Sequence, residues 1–247
     1  MALVPAAATT LAVTDYDQVR TEVGMPEVRT GSPQTAQFWS AAARLAVLTP
    51  GVLRPVDTLL QRDDGFGQAD VSWEADFHGG GVSGWALRLR NGVPMAAVRR
   101  AVRAGVGPLR GARVDVRDHL VSRGAAAPGE PNWAGRRGLP GLVDGPALAT
   151  YVQRGCVAGD TGDARLQPLT AYAVQYAATL ATARLGAGRD DLFARMRLGR
   201  TRPRFARIFR RGAADPSSGR IGYQMTDPAA AATLALHHQL PFAVCAP

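Results

Sequence analysis

Two histidine-containing stretches are the places in this chain where residue types and spacing could support catalysis. His78-Gly79-Gly80-Gly81 has the composition of an esterase oxyanion loop. That chemistry also requires a nucleophilic serine in a G-x-S-x-G turn, but Ser83 lies in GVSGW, which lacks the final glycine. We therefore interpret this stretch as a flexible turn beside Trp85 and not as part of a hydrolase site.

The second stretch, His237-His238, could ligate a metal ion. Two adjacent histidines point to different faces of an element, however, and no third ligand lies nearby in the sequence. A phosphate-binding P-loop is excluded because it requires a lysine, and the chain contains none. The sequence thus predicts a protein that is not an enzyme and that binds no metal ion or cofactor.

The strongest chemical signal is the density of arginine between residues 184 and 211. This segment contains ten arginines against two aspartates, a net charge of +8 out of +9 for the whole chain. Three phenylalanines interleave with the arginines, at Phe193, Phe205 and Phe209. Guanidinium groups bind phosphates and aromatic rings stack on bases, so the segment is typical of a surface for single-stranded nucleic acid. The alternative is an amphipathic helix whose phenylalanines are core and whose arginines are solvated.

The composition favours one helical domain with an anionic partner. The 247 residues (26.0 kDa) are 46% hydrophobic but only 6% aromatic, and small apolar side chains favour close-packed helices over a β-sandwich. All 29 basic residues are arginine and the pI is about 10.8, which indicates a polyanionic partner. Cys156 and Cys245 form no CxxC motif and no disulfide framework, which favours a reducing compartment.

The elements that would carry these residues are predicted to be mainly α-helices. Apolar periodicity and capping residues, including Asp15 as the first N-cap, predict helices over residues 15–25, 32–48, 93–106, 109–124, 145–159 and 169–186. The last of these is long and alanine-rich, and it is the clearest helix in the pattern. The region 51–92 leaves room for a small β-hairpin.

The expected fold is therefore mainly α, a helical-bundle core with flexible arms at both ends. The pattern divides the chain into an N-terminal arm (1–14), a helical core domain (15–186), and an arginine-rich segment with a C-terminal arm (187–247). We find no internal repeat in the sequence and no apolar run long enough to span a membrane. The N-terminal arm has no apolar periodicity, so we expect it to become ordered against a neighbouring subunit.

The stretch GVGPLRGARVDVRDHLVSRGAAAPGEPNWAGRRGL resembles the coat proteins of flexible filamentous plant viruses, the potexviruses and their relatives. In that family a helix with a T-L-R-type element leads into a loop that ends in P-P-A-N-W. Here 108–110 (PLR) and 131–133 (PNW) occupy these places at nearly the family's spacing. Trp39 stands where the family has a helical tryptophan, and NGVPMAAVRRAVRAGV is similar to another of its helices. Residues 51–90 are extra sequence relative to the family.

The resemblance implies a viral coat protein that polymerises helically around single-stranded RNA, in the virion and the host cytoplasm. It places Arg110 and Asp144 in the RNA groove, while the family's groove serine has only Thr49 and Ser83 as candidates here. We further expect RNA contacts from the loop and from the arginine-rich segment, at Arg136, Arg137, Arg200, Arg202 and Arg204. The alternative is a structural neck or tail subunit of a phage or phage-like particle, which would have no RNA groove. A hydrolase is the third and least favoured class.

Overall fold

The computed structural model describes residues 1–143, 145–161 and 165–246, in which ten strands form one antiparallel sheet and seven α-helices accompany it. The strands are β1 (Thr10–Asp15), β2 (Val71–Gly79), β3 (Val82–Leu89), β4 (Arg113–Asp115), β5 (Leu120–Arg123), β6 (Ala149–Arg154), β7 (Ala171–Ala177), β8 (Leu180–Arg184), β9 (Phe209–Asp215) and β10 (Arg220–Met225). The helices are α1 (Tyr16–Glu22), α2 (Thr35–Ala42), α3 (Asp57–Asp64), α4 (Met95–Ala104), α5 (Leu192–Arg200), α6 (Pro203–Ile208) and α7 (Pro228–Leu236).

The sheet consists of two halves that repeat one topology. Its strand order is β4-β5-β3-β2-β1-β6-β7-β8-β10-β9. Counted outward from the central β1–β6 pair, the first half reads 1, 2, 3, 5, 4 and the second reads 6, 7, 8, 10, 9. The halves are thus topologically equivalent about an antiparallel strand pair, although the sequence itself shows no repeat. The sheet is continuous across both predicted domain boundaries, after residues 14 and 186.

The expectation of a mainly α helical bundle is wrong, and the stretch 169–186 shows why. Its alanine content favours a helix. However, Tyr172, Val174 and Tyr176 recur with period two, and all three point from β7 into the main hydrophobic core. A β-hairpin buries these large side chains on one face of the sheet, which a helix of the same sequence would spread around its axis. Tertiary burial therefore overrides helix propensity here.

Two further predicted helices are strands, and three other predictions are confirmed. The stretch 109–124 contains β4 and β5, and 145–159 contains β6, which is buried on both faces. Helix α1 begins where expected, with the Asp15 carboxylate accepting from the backbone N–H of Gln18 at 2.9 Å. Helix α4 lies within the predicted 93–106, and β2 and β3 form the hairpin in the 51–92 region.

The helices cover one face of the sheet, and a second, smaller core covers part of the other. This second core contains residues 1–8 and the loop 124–143, with Trp133 fully buried at its centre. The Trp133 indole donates to the carbonyl of Ala8 at 3.2 Å, so this tryptophan anchors the loop to the N-terminal residues. The expected free arm at 1–14 is thus packed on its own chain, and its last five residues belong to the central strand β1.

The two cysteines are joined, contrary to the expectation of separate thiols. Cys156 and Cys245 form a disulfide that connects the segment after β6 to the last residues of the chain. No spacing motif reveals this pair, because 89 residues separate the two cysteines and the fold alone brings them together.

Candidate functional site

The arginine-rich segment folds into α5, α6 and β9, and β9 is the outer edge strand of the second half. Two of its ten arginines are structural. Arg189 and Arg195 are buried and both pair with the carboxylate of Asp191, at 2.8 and 2.7 Å. Arg195 also donates to the carbonyls of Phe242 and Val244, both at 2.8 Å, and so holds the C-terminal segment against α5.

Seven arginines of this segment are exposed, and we refer to them together as the arginine surface: Arg197, Arg200, Arg202, Arg204, Arg207, Arg210 and Arg211. They follow one another along α5, α6 and β9. On α5, Phe193, Arg197 and Arg200 recur at i, i+4 and i+7 and share one solvent-facing stripe. Phe193 is 47% exposed, which is unusual for a large apolar side chain. On this stripe it neighbours two arginines.

A cavity of about 430 Å³ borders the arginine surface between α6 and the end of α7, and we call it the α6–α7 cavity. Arg202 and Arg204 line one side, and His238 and Gln239 line the other. The guanidinium of Arg202 donates to the carbonyl of Asp160 at 2.8 Å, and that of Arg204 donates to the side chain of Gln239 at 2.9 Å. Both are exposed contacts that a competing anion can replace.

A second cavity of about 530 Å³ lies where the two halves meet, and we call it the central cleft. Strands β1, β2 and β6 form its floor. Its walls are the segment after α2 and the residues that end α7. The cleft is lined by Thr10, Ala12, Val47, Leu48, Thr49, Pro50, Asp76, His78, Tyr151, Leu236 and His238. Because His238 lines this cleft and the α6–α7 cavity, the two cavities are adjacent at that residue.

His238 is held in a position that few residues with side chains occupy. It follows the last turn of α7 with φ 55°, the left-handed conformation that most often takes glycine at a helix end. Its Nδ1 lies 2.8 Å from Oε1 of Gln153 and 3.0 Å from the hydroxyl of Tyr151. The Tyr172 hydroxyl also donates to Gln153 Oε1, at 2.7 Å. The imidazole is therefore fixed by a network built on β6 and β7.

Among the described residues, Asp76 is the acidic group that lines the cleft. Within the described part of the chain its carboxyl makes no hydrogen bond or ion pair, and burial followed by repulsion from Glu74 raises its pKa to about 7. Burial also raises the pKa of Glu74, although this carboxylate accepts from the backbone N–H groups of Gly51 and Val52 and from the side chain of Gln68. Strongly perturbed carboxyls in a cleft are typical of functional sites.

The esterase-like stretch forms the turn between β2 and β3, in agreement with its interpretation as a turn from the sequence. All three of its glycines have positive φ, and a Cβ at Gly80 would collide with the carbonyl of Ala7. His78 and Ser83 are paired across this hairpin, with Nδ1 3.2 Å from the hydroxyl. The serine is exposed on strand β3 and does not lie on a strand-to-helix turn, so the geometry of a nucleophile elbow is missing.

The arginines expected to contact RNA lie on three separate parts of the fold. Arg110 is exposed just before the edge strand β4, whereas the arginine surface includes β9 at the opposite edge of the ten-stranded sheet. Arg136 and Arg137 are exposed on the loop that covers the other face of the sheet, and Arg136 donates to the carbonyl of Ala6 at 3.2 Å. Asp144 lies outside the described residues.

Other expected residues lie nearer the cleft. Arg200, Arg202 and Arg204 are close in sequence on α5 and α6, and the last two line the α6–α7 cavity. Thr49, a candidate for the groove serine, lines the central cleft, and its hydroxyl lies 3.4 Å from that of Tyr16.

Sequence reasoning missed Asp76, Tyr151 and Gln153 as members of a site. They lie on β2 and β6, about 75 residues apart in the chain, and the pairing of both strands with β1 brings them together. The available signal was the alternation of polar Glu74, Asp76 and His78, which places three polar side chains on one face of a strand.

Comparison with family models, curated proteins and solved structures gives no significant match for this chain. Among residues 1–143, 145–161 and 165–246, no three or more His, Cys, Asp or Glu side chains are grouped so that they could hold a metal ion. No helix in the same ranges is long and apolar enough to cross a membrane.

Proposed function

We propose that the protein binds single-stranded RNA through the arginine surface, with the strand continuing into the α6–α7 cavity. The observation that carries this proposal is the run of seven exposed arginines on consecutive elements, two of which, Arg202 and Arg204, line a cavity. Within the described part of the chain, Arg197, Arg200, Arg207, Arg210 and Arg211 have no acidic partner. Their charge therefore remains open to an external anion.

The chemistry of this surface suits a flexible strand better than a rigid duplex. Guanidinium groups can bind phosphate with two hydrogen bonds, and the exposed Phe193 ring offers a stacking surface for one base. The α6–α7 cavity beside the arginine surface is concave and partly apolar, so an unpaired nucleotide can enter it while a base-paired one cannot. Recognition of this kind reads the backbone and accepts most sequences.

A competing explanation assigns the arginines a protective role. Strand β9 is an edge of the sheet, and charged residues at an edge prevent pairing with other chains. Arg210 and Arg211 suffice for that role because they lie on β9 itself. The arginines of α5 and α6 lie off the edge strand, and protection of the edge does not account for them.

The test measures the affinity for a fluorescent 20-nucleotide 2′-O-methyl oligouridylate, which cannot be cleaved through a 2′-hydroxyl, by anisotropy between 50 and 300 mM salt. Replacing Arg200, Arg202 and Arg204 together with Gln should reduce the slope of log affinity against log salt by about 2, because each phosphate contact contributes about 0.7 for a single strand. The control replaces the three exposed arginines of α4, at 99, 100 and 103, with Gln. It removes the same charge from the first half and should leave the slope nearly unchanged. Equal slopes for the two variants would show that only net charge matters, and the proposed surface would be wrong.

The resemblance to filamentous virus coat proteins adds helical polymerisation to this proposal. Its physical support is weaker, because the N-terminal residues expected to reach a neighbouring subunit pack on their own sheet. Negative-stain images of the protein mixed with a long single-stranded RNA test this part separately. Flexuous filaments of uniform diameter would support a coat function, whereas particles without helical order would restrict the proposal to RNA binding.

A further inference from the structure

We propose that the central cleft is an acid–base catalytic site that cleaves bound RNA, with His238 as the base and Asp76 as the acid. The inference rests on the proposed function, because the arginine surface leads to the α6–α7 cavity and that cavity meets the cleft at His238. A cleft of about 530 Å³ is large enough to hold a nucleotide and its phosphate.

The surroundings of His238 define which of its nitrogens can act. The side-chain oxygen of Gln153 can only accept a hydrogen bond, and it lies 2.8 Å from Nδ1. Nδ1 therefore carries the proton, and Nε2 keeps its lone pair and can remove a proton. Tyr151 and Gln153 are positioning residues in this arrangement, because they orient the imidazole without contacting the reacting atoms. The left-handed backbone at His238 is further support, since such conformations concentrate at functional sites.

Asp76 is suited to donate a proton. Glu74 and His78 on its own strand, Tyr16 on α1, Tyr151 on β6 and His238 after α7 are titratable groups around it. Among the described residues, no arginine lines the cleft to hold it ionised. With its pKa raised to about 7 by burial and by Glu74, about half of the carboxyls carry a proton at neutral pH. A carboxyl of ordinary pKa would be ionised and could not serve as an acid there.

The reaction is a transesterification within the RNA strand and needs no further reactant. His238 Nε2 accepts the proton of a ribose 2′-hydroxyl as that oxygen forms a bond to the adjacent phosphorus. The bond from phosphorus to the 5′-oxygen of the next nucleotide breaks, and Asp76 donates its proton to this leaving oxygen. One product ends in a 2′,3′-cyclic phosphate and the other begins with a 5′-hydroxyl. Afterwards the imidazolium of His238 releases its proton to solvent and the carboxylate of Asp76 takes one up from solvent, so both groups return to their starting forms.

The first experiment follows a 5′-labelled oligouridylate on a gel. The wild-type protein should produce fragments that end in 2′,3′-cyclic phosphate. His238→Asn and Asp76→Asn should each slow cleavage by about a hundredfold or more, the usual contribution of one acid or base. Asparagine tolerates the left-handed conformation at 238, so the fold should be retained, and the thermal unfolding of each variant checks this. The matched control is His237→Asn, because the neighbouring histidine is exposed and lines neither cavity.

The second experiment assigns the two roles. An RNA with sulfur in place of the bridging 5′-oxygen has a leaving group that departs as a thiolate without a proton. This substrate should restore fast cleavage to Asp76→Asn but not to His238→Asn. A merely structural role for Asp76 would leave its variant equally slow on both substrates.

The outcomes separate this inference from the proposed function. Intact RNA that remains bound to the wild-type protein would overturn the catalytic role alone. Cleavage that persists equally in His238→Asn would identify a contaminating nuclease and would also overturn it. Absence of RNA binding would overturn the proposed function together with the inference.

Discussion

The two halves of the sheet share a strand order but treat their buried carboxyl groups in opposite ways. In the second half, burial alone would raise the pKa of Asp191, but hydrogen bonds from Arg189, from the backbone of Gln167 and from Arg195 outweigh it and lower the pKa. In the first half, burial and a neighbouring carboxylate raise the pKa of Asp76 to about 7. In the second half, ion pairs with two arginines stabilise the ionised carboxylate of Asp191. In the first half, burial disfavours the ionised form of Asp76, which lines an open cleft.

A buried arginine shows what the halves have in common. Arg20 in the first half donates to the carbonyls of Ala69 and Val71, much as Arg195 does to carbonyls of the C-terminal segment. Both guanidinium groups are withdrawn from solvent and clamp main-chain oxygens. Their acidic partners differ, because the side chain of Asp17 is 50% exposed and that of Asp191 is 3% exposed.

The largest expected effect comes from removing Asp191. Asp191→Ala should lower the free energy of unfolding by about 3–5 kcal/mol, because it leaves two buried guanidinium groups without their counter-ion. Asp17→Ala should cost only on the order of 1 kcal/mol, since water can replace a half-exposed carboxylate. Urea unfolding at pH 7 measures both. Because the pKa of Asp191 is lowered, its contribution is complete above about pH 4 and is lost as the pH falls through the lowered value. Equal losses in the two variants would remove the contrast between the halves.

Asp76→Asn should have the opposite effect and raise the free energy of unfolding at high pH. A carboxyl with a raised pKa destabilises the fold as the pH rises from about 4 to about 7, because the folded state then holds the proton more tightly than the unfolded chain. At pH 8 the variant should therefore be more stable than wild type by up to about 4 kcal/mol, and at pH 3.5 the difference should vanish. Thermal unfolding across this range tests the prediction. A variant that is less stable at pH 8 would mean that Asp76 is a structural carboxylate.

Breaking the disulfide should affect the second half selectively. Cys156–Cys245 closes a loop across a separation of 89 residues, and its loss should lower stability by about 2–4 kcal/mol. Cys245→Ser and reduction of the wild-type protein should give the same value. Hydrogen exchange should quicken in α5 and in the C-terminal segment while β2 and β3 stay protected. Uniform loss of protection would indicate that the halves unfold as one unit.

The smallest expected effect concerns the helix caps, where the halves are alike. The Asp15 and Asp227 side chains each accept from a backbone N–H in the first turn of their helix, at 2.9 Å. Replacing either with Ala should cost about 1 kcal/mol, and the two losses should agree within a few tenths. A large difference would show that one carboxylate has a further role beyond capping.

Local signals in the sequence predicted local structure well. The Asp15 cap, helix α4 and the hairpin between Val71 and Leu89 depend on neighbouring residues, and they lie where the pattern placed them. The stretch 169–186 failed because alanine favours a helix in isolation, while Tyr172 and Tyr176 are buried against Phe242 and α7, which lie more than 50 residues further along the chain. The disulfide and the central cleft failed for the same reason. The cleft joins residues that only the β1–β6 pairing and the packing of α7 bring together, and the disulfide depends on the bridge between Val157 and Val244.

The site was predictable only in its charge. The density of arginine indicated an anionic partner, but the sequence could not show that Arg189 and Arg195 are buried and that seven of the other eight are exposed. His238 was visible as half of a histidine pair. Its role depends on Tyr151 and Gln153, and no motif links a helix end to a strand 85 residues earlier.

The central position of β1 has a consequence for synthesis of the chain. Strand β1 leaves the ribosome before β2 and β6. It can pair with β2 within its own half, but its other edge remains open until β6 has emerged. During that interval a strand destined for the middle of the sheet is an unprotected edge, which is a template for pairing with another chain. A chain ending at residue 124 should therefore associate through β1, and size-exclusion chromatography should find it as a dimer or larger. In the full-length chain β6 pairs with that edge, so the second half of the sheet protects the first half from association with other chains.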